Sequence, residues 1–236
     1  MTENAFPNRQ ATLVPAVTMD QMREVDGIMI EDLRIGLVQM MENAGRNLAR
    51  LAKRRFSPRR VVVLAGSGGN GGGGMVAARH LSNWGLIVAV VLAQERDRLG
   101  SVPARQLDVL ERMGVSIIGQ PDPGDLFVDA LIGYSLQGNP RGRIAELIEW
   151  MNGQDTAVLS LDTPSGLDVT TGVPGVPCVA ATATLTLAAP KTGLPGTAEV
   201  GELYLADISV PPAVYDRFGM RMPAGLFDED TVVRLI

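Results

Sequence analysis

Asn70, Asp129, Asp162 and Ser165 stand just beyond apolar runs, in three stretches reading GSGGNGGGG, VDALIGYSLQGNPRG and LSLDTPSGLDVTTG. The oxygens of Asn70, Asp129 and Ser165 suit a hard cation, and no histidine and cysteine cluster suited to zinc accompanies them. The glycine stretch follows VVVLA and precedes a helical pattern, so its backbone N–H groups and a helix N-terminus can cradle an anion. No Lys-Ser/Thr pair follows, which excludes a Walker loop, and a GxGxxG spacing alone says little. A strand-terminal Asp such as Asp129 is also an ordinary cap for the next turn. Asp162 and Asp168 are not both reactive candidates, because Asp168 more simply shapes its own turn.

Alternating elements must position these groups. Uninterrupted Val/Ile/Leu runs, VVVLAG, LIVAVVLA, SIIG, LFVDALIG and AVLSLD, are what a parallel sheet buried on both faces requires. Helical segments through Trp84, around PARQLDVLERM and over RIAELIEWMN supply the crossovers, which makes a doubly wound α/β fold. ATATLTLAA and GELYLAD read as further strands, antiparallel pairing being open at the sheet edge. Ahead of them, a helix from Thr18 puts Met22, Val25, Met29 and Leu33 on one face, and LVQMMENAGRNLARLAKRRF forms a second. In such a sheet ligands bind beyond the carboxyl ends of the strands, where the three polar stretches fall.

Composition narrows the function classes. The 236 residues suit a single domain with residues 1–17 flexible and a core over 18–212. A net charge of -5 offers no general attraction to nucleic acid or an anionic membrane, and no apolar run is long enough to span a bilayer. One cysteine, Cys178, excludes an intramolecular disulfide framework, and the polar N-terminus lacks the pattern of a secretory signal, so a cytoplasmic protein is expected. His80 reads as a surface or packed residue, Lys191 as either a phosphate contact or a solvated loop lysine, and Glu42 as a brace for the second helix. The Arg54, Arg55, Arg59 and Arg60 cluster reads as a solvated face at a helix end.

Several ordered motifs carry a resemblance. MMENAG (Met40 to Gly45), GSGGNGGGGMVAARHL, VDALIG, LDTPSGLDVTTG, APKTGL and GELYLADISVP together resemble the YjeF N-terminal domain family, whose enzymes are NAD(P)HX epimerases. The resemblance implies a Rossmann-like three-layer sandwich with a mostly parallel central sheet and an N-terminal helical extension, commonly as a homodimer. It implies that the 6-hydroxyl of hydrated NADH or NADPH is epimerised, with one potassium ion per subunit held by Asn70, Asp129 and Ser165. By the same matching, Asp162 is the catalytic acid and base and contacts the substrate. Asn70, Gly71, Gly72 and Gly73, with Gly133, Tyr134, Ser135, Leu136, Gln137, Gly138 and Asn139, line the dinucleotide. The glycines would then let backbone approach a pyrophosphate.

Two positions depart from the family's usual NNGGDG: Gly69 replaces the first Asn and Gly73 the Asp. If that Asp only caps the following helix, glycine costs a few tenths of a kcal/mol. If it touches substrate, activity is in doubt, and the glycine replacements then favour the alternative of a non-catalytic nucleotide-binding or scaffolding module of the same fold. A generic dehydrogenase fits less well, because LIVAVVLAQERD offers only Glu95 for the acidic residue expected at the end of the second strand.

Overall fold

The computed structural model describes residues 6–136 and 138–236, and in it the apolar runs assemble into one nine-stranded sheet. The strands are β1 (Asn8–Arg9), β2 (Arg60–Ala65), β3 (Ile87–Leu92), β4 (Ser116–Ile118), β5 (Leu126–Ala130), β6 (Val158–Leu161), β7 (Ala183–Leu187), β8 (Glu202–Ala206) and β9 (Val232–Leu235). Their spatial order is β1-β9-β8-β7-β6-β5-β2-β3-β4, and only the β8–β9 pair is antiparallel. From β2 the chain proceeds outward through β3 and β4, then returns to β5 on the other side of β2. This reversal opens a crevice at the carboxyl ends of β2 and β5.

Because strand side chains alternate, the two faces build separate cores. Val61, Val63, Val128 and Leu159 pack under α2 (Leu37–Leu51), α3 (Gly69–Asn83) and α4 (Ser101–Arg112). Val62, Leu64 and Phe127 pack under α5 (Arg143–Asn152). Helix α1 (Met19–Gly27) belongs to neither layer: it joins α2 and α6 (Pro212–Asp216) in a third cluster with Ala188 and Ile208, beyond the carboxyl ends of β7 and β8. Thr18 starts α1 with a reciprocal cap, its Oγ1 accepting from Gln21 N at 3.3 Å while Gln21 Oε1 accepts from Thr18 N at 2.9 Å.

Four sequence expectations change. Leu33 does not continue the buried stripe of Met22, Val25 and Met29 and is 40% exposed. A wide turn over Ile28–Asp32, with Leu33 N bonded to Ile28 O, shifts the helical phase before it. Ordered packing also exceeds the span 18–212: Phe6, Val14 and Val17 are buried, and β9 pairs with both β1 and β8. ATATLTLAA and GELYLAD form β7 and β8, which pair in parallel; the antiparallel pairing falls between β8 and β9, and the edge strand β1 is parallel to β9. The arginines near residue 55 are not merely solvated: Arg54 bonds Asp230 at 2.6 Å and lies over the Phe6 ring, Arg55 grips Glu202 with two nitrogens, and Arg60 reaches Asp122.

The glycine run is mostly helix. Gly68 caps α3 and Gly69 is its first residue, so Gly73 and Gly74 occupy the second turn. A Cβ on Gly73 would lie 2.7 Å from Leu161 Cδ2, and one on Gly74 would lie 2.4 Å from Ala130 Cβ. These glycines bring α3 down onto β5 and β6. Gly73 is therefore not at a capping position.

Candidate active site

Each strand end at the crevice contributes a group. After β2, Ser67, Gly68, Gly69 and Asn70 form the start of α3, whose first-turn N–H groups have no intrahelical partners. After β5 come Leu131, Ile132, Gly133, Tyr134 and Ser135; after β6, Asp162; after β7, Lys191. They surround a cavity of about 450 Å³, closed on the helical side by Met22, Asp26, Met40 and Met41. Three thioethers thus form an apolar, deformable wall opposite a polar edge.

Asp162 is 4% exposed, and its backbone takes the left-handed conformation (φ 66°) that turns its side chain off the strand end. Lys191 Nζ donates to Asp162 Oδ1, and also to Leu187 O at 3.0 Å and Thr186 Oγ1 at 3.2 Å. Lys191 has 0% exposure and lines the cavity, so it is not a solvated loop residue. It is the buried counter-ion of Asp162. The remaining Asp162 oxygen, Oδ2, accepts from Tyr134 N at 3.3 Å. The Tyr134 hydroxyl donates to Asp26 Oδ2 at 2.5 Å, linking the sheet edge to α1.

One strand away lies a second buried carboxylate. Asp129 has 0% exposure and accepts from Ser165 Oγ at 2.5 Å, Ser160 Oγ at 2.8 Å, Ser165 N at 2.8 Å and Leu131 N at 3.2 Å. Burial pushes its carboxyl above the usual range, with those donors opposing. Among the described residues no basic side chain pairs with it. The Ser165 hydroxyl also meets the backbone of Ile132, and the buried Nδ2 of Asn70 has no hydrogen-bond partner among the described residues. A carboxylate without a counter-ion, a serine hydroxyl and the amide oxygen of Asn70 are the oxygen types that a hard, weakly charged cation takes, whereas the orphaned Nδ2 of Asn70 is a donor left to meet an acceptor.

The structure distributes the remaining sequence-predicted residues unevenly. Gly73, Gly133, Tyr134 and Ser135 line the cavity with Asn70 and Asp162. Gly71 and Gly72 do not: a Cβ on either would strike Gly66 O at 1.9 Å or Met41 at 2.6 Å, so both serve packing. Leu136 and Gly138 fall outside the lining, as does Asn139, whose Oδ1 instead accepts from Val176 N at 3.1 Å. Gln137 lies outside the described residues. His80 and Arg79 both bond Glu42, tying α3 to α2 away from the cavity. Asp168 accepts from Thr170 N and Thr171 N at 2.9 Å, which is its turn-shaping part. Sequence reading missed Asp26 altogether and the partner of Lys191. The available signal for Lys191 was that APKTGL follows the strand beside the one ending at Asp162.

A doubly wound α/β domain with polar groups gathered at the switch point of its sheet is the class these features define. The family model described as YjeF-related protein N-terminus matches residues 37–193, and the chain belongs to that family. It is 44% identical to an NAD(P)H-hydrate epimerase of Dehalogenimonas lykanthroporepellens, over 98% of this chain and 96% of the relative. It is 34% identical to a bifunctional NAD(P)H-hydrate repair enzyme of Salinibacter ruber, covering 90% of this chain and 44% of that longer protein. The crystal structure of a yeast protein superposes with a TM-score of 0.83 at 24% identity, over 94% of this chain and all of the other, and shows the same fold.

Proposed function

We propose that the chain is an NAD(P)H-hydrate epimerase, an isomerase that interconverts the R and S forms of hydrated NADH and NADPH in nicotinamide nucleotide repair. The observation that carries the reading is Asp162: a buried carboxylate held against Lys191 at the edge of an otherwise largely apolar cavity. A near full-length relative bearing that activity's name supports it.

The chemistry is that of the hydrated ring. The C6 hydroxyl sits on a carbon next to the ring nitrogen, so its loss as water leaves a planar cation that the nitrogen lone pair stabilises. Addition of water to the other face inverts the centre. Lys191 Nζ holds one oxygen of Asp162, which orients the carboxyl group as the one that takes a proton from water. Tyr134 N fixes the second oxygen and so the direction of the carboxylate. The methionine wall excludes bulk water from the cation. The start of α3 offers N–H groups to the substrate's phosphates.

Asn70, Asp129 and Ser165 would hold one potassium ion per subunit, which would offset the buried charge of Asp129 and brace the loops after β5 and β6. We also place the chain in a homodimer, with the exposed Ile30, Leu33, Leu37 and Val38 at the turn between α1 and α2 as the apolar surface to be covered. No helix among the described residues is long and apolar enough to cross a membrane. The test of the activity is direct: purified protein incubated with the separated R form of hydrated NADH should produce the S form on chromatography. An unchanged R:S ratio relative to buffer rejects the epimerase and leaves the binding module.

A further inference from the structure

We propose that Asp26 is a second catalytic carboxyl of this site, giving a proton to the departing C6 hydroxyl while Asp162 accepts one from the incoming water. The inference rests on the epimerase reading above. It divides between two groups the work that the family resemblance assigns to Asp162 alone.

The geometry puts the two carboxyls at one cavity from different elements. Asp26 projects from α1 and Asp162 from the end of β6, and both line the cavity. Tyr134 spans them, its hydroxyl bonded to Asp26 Oδ2 at 2.5 Å and its backbone N to Asp162 Oδ2 at 3.3 Å. Tyr134 therefore ties both carboxyls to one wall of the cavity in which a ring carbon and a water would be placed. Inversion at a planar carbon is served by two such groups, one to give a proton to the leaving oxygen and one to take a proton from the oxygen arriving on the other face.

Their surroundings differ as an acid's and a base's should. Lys191 neutralises Asp162 directly, whereas no basic side chain among the described residues bonds Asp26. Burial pushes the Asp26 carboxyl up from its ordinary range, and the nearby charge of Asp162 adds to this; the Tyr134 hydroxyl and the charge of Lys191 oppose it. Arg23, one turn earlier on α1, acts on Tyr134, and Tyr215 from α6 feels the charge of Asp26.

The step balances. The Asp26 proton passes to the C6 hydroxyl, the C6–O bond breaks and water departs, and the ring nitrogen lone pair becomes the second bond to C6. Water then approaches the other face, its oxygen lone pair forms the new C6–O bond, the π pair returns to nitrogen, and its proton goes to Asp162. Asp26 ends as the carboxylate and Asp162 as the acid, the state from which the reverse reaction starts. Proton exchange with solvent restores the original state, and nothing is oxidised or reduced.

The experiment compares Asp26→Asn, Asp26→Glu and Tyr134→Phe with the wild type, using the separated R and S forms of hydrated NADH. Asp26→Asn should lower kcat by about 100-fold or more, the usual scale of a positioned general acid, with KM changed less than about threefold. Asp26→Glu should recover part of that loss. Tyr134→Phe should move the alkaline limb of the wild-type kcat profile, along which activity falls as Asp26 loses its proton. Asp26→Asn with more than about a third of wild-type kcat overturns the proposal while leaving the epimerase reading intact. Asp26→Glu as inactive as Asp26→Asn, or a Tyr134→Phe profile superposable on the wild type, also overturns it. Wild-type protein without epimerisation overturns both readings.

Discussion

Asp129 and Asp162 stand at the ends of adjacent strands, both nearly or wholly buried, yet their charges are met differently. Asp129 is surrounded by hydroxyl and amide donors, none of which carries a charge to neutralise it. Asp162 has a lysine on one oxygen, and its other oxygen is held only by a long bond beside the cavity. A carboxylate satisfied by neutral donors is suited to hold a cation in place. One that is neutralised but still accessible is suited to move protons. The difference arises from each strand's neighbour in the sheet: β6 lies beside β7, whose exit delivers Lys191, while β5 lies beside β2, whose exit delivers a helix start.

The largest effects should come from separating the pair. Lys191→Met leaves Asp162 buried without its counter-charge, and Asp162→Asn leaves Lys191 in the same position; each should cost about 3–5 kcal/mol in denaturant unfolding. Combining them should recover most of that stability while epimerisation stays lost by about 100-fold or more. Additive destabilisation in the double variant would show that the two residues do not act as a pair.

Asp129→Asn tests the other half of the comparison. It replaces one acceptor oxygen with a donor facing Ser160 or Ser165, which should cost about 1–3 kcal/mol. Wild-type Tm should rise in potassium chloride over choline chloride, because an ion bound only by the folded state stabilises it. The variant should lose that increment. A potassium increment retained in the variant would remove Asp129 from the ion's ligands.

A comparable effect should follow Gly73→Asp, the residue that the motif resemblance leads one to expect there. With Leu161 Cδ2 2.7 Å from the new Cβ, overpacking should lower stability by about 1–3 kcal/mol. A rise in Tm would mean that Leu161 yields its place. Gly68→Ser should do least. Its extended backbone and open surroundings allow a true cap for α3, worth a few tenths of a kcal/mol by thermal unfolding. A fall in Tm would show that serine cannot adopt the cap geometry there.

Much of this architecture was readable from the chain alone. Val61–Leu64 and Val88–Val91 announce strands because only a two-sided core tolerates unbroken apolar runs, and the spacing of Met22, Val25 and Met29 announces a helix from Thr18. The positions of Asp129, Asp162 and Ser165 at or beyond strand ends were legible because they close or follow such runs. The Asp162–Lys191 pair was not, being 29 residues apart, nor the Asp26–Tyr134 bond across 108. Local patterns carry no information about contacts of that separation. The glycines misled for another reason: the residue that frees a loop is also the residue that lets a helix touch a sheet, and only the neighbours of Gly73 and Gly74 decide between them. Strands β1 and β9, of 2 and 4 residues, are too short for alternation to declare itself.

The methionine wall gives the cavity a redox vulnerability of its own. Met22, Met40 and Met41 present thioethers around the space where the hydrated ring would sit. A peroxide small enough to enter would convert them to sulfoxides, turning an apolar lining polar and bulkier. Substrate in the cavity would shield the sulfurs, so inactivation by oxidant should be fastest in the idle enzyme and reversed by sulfoxide reductases.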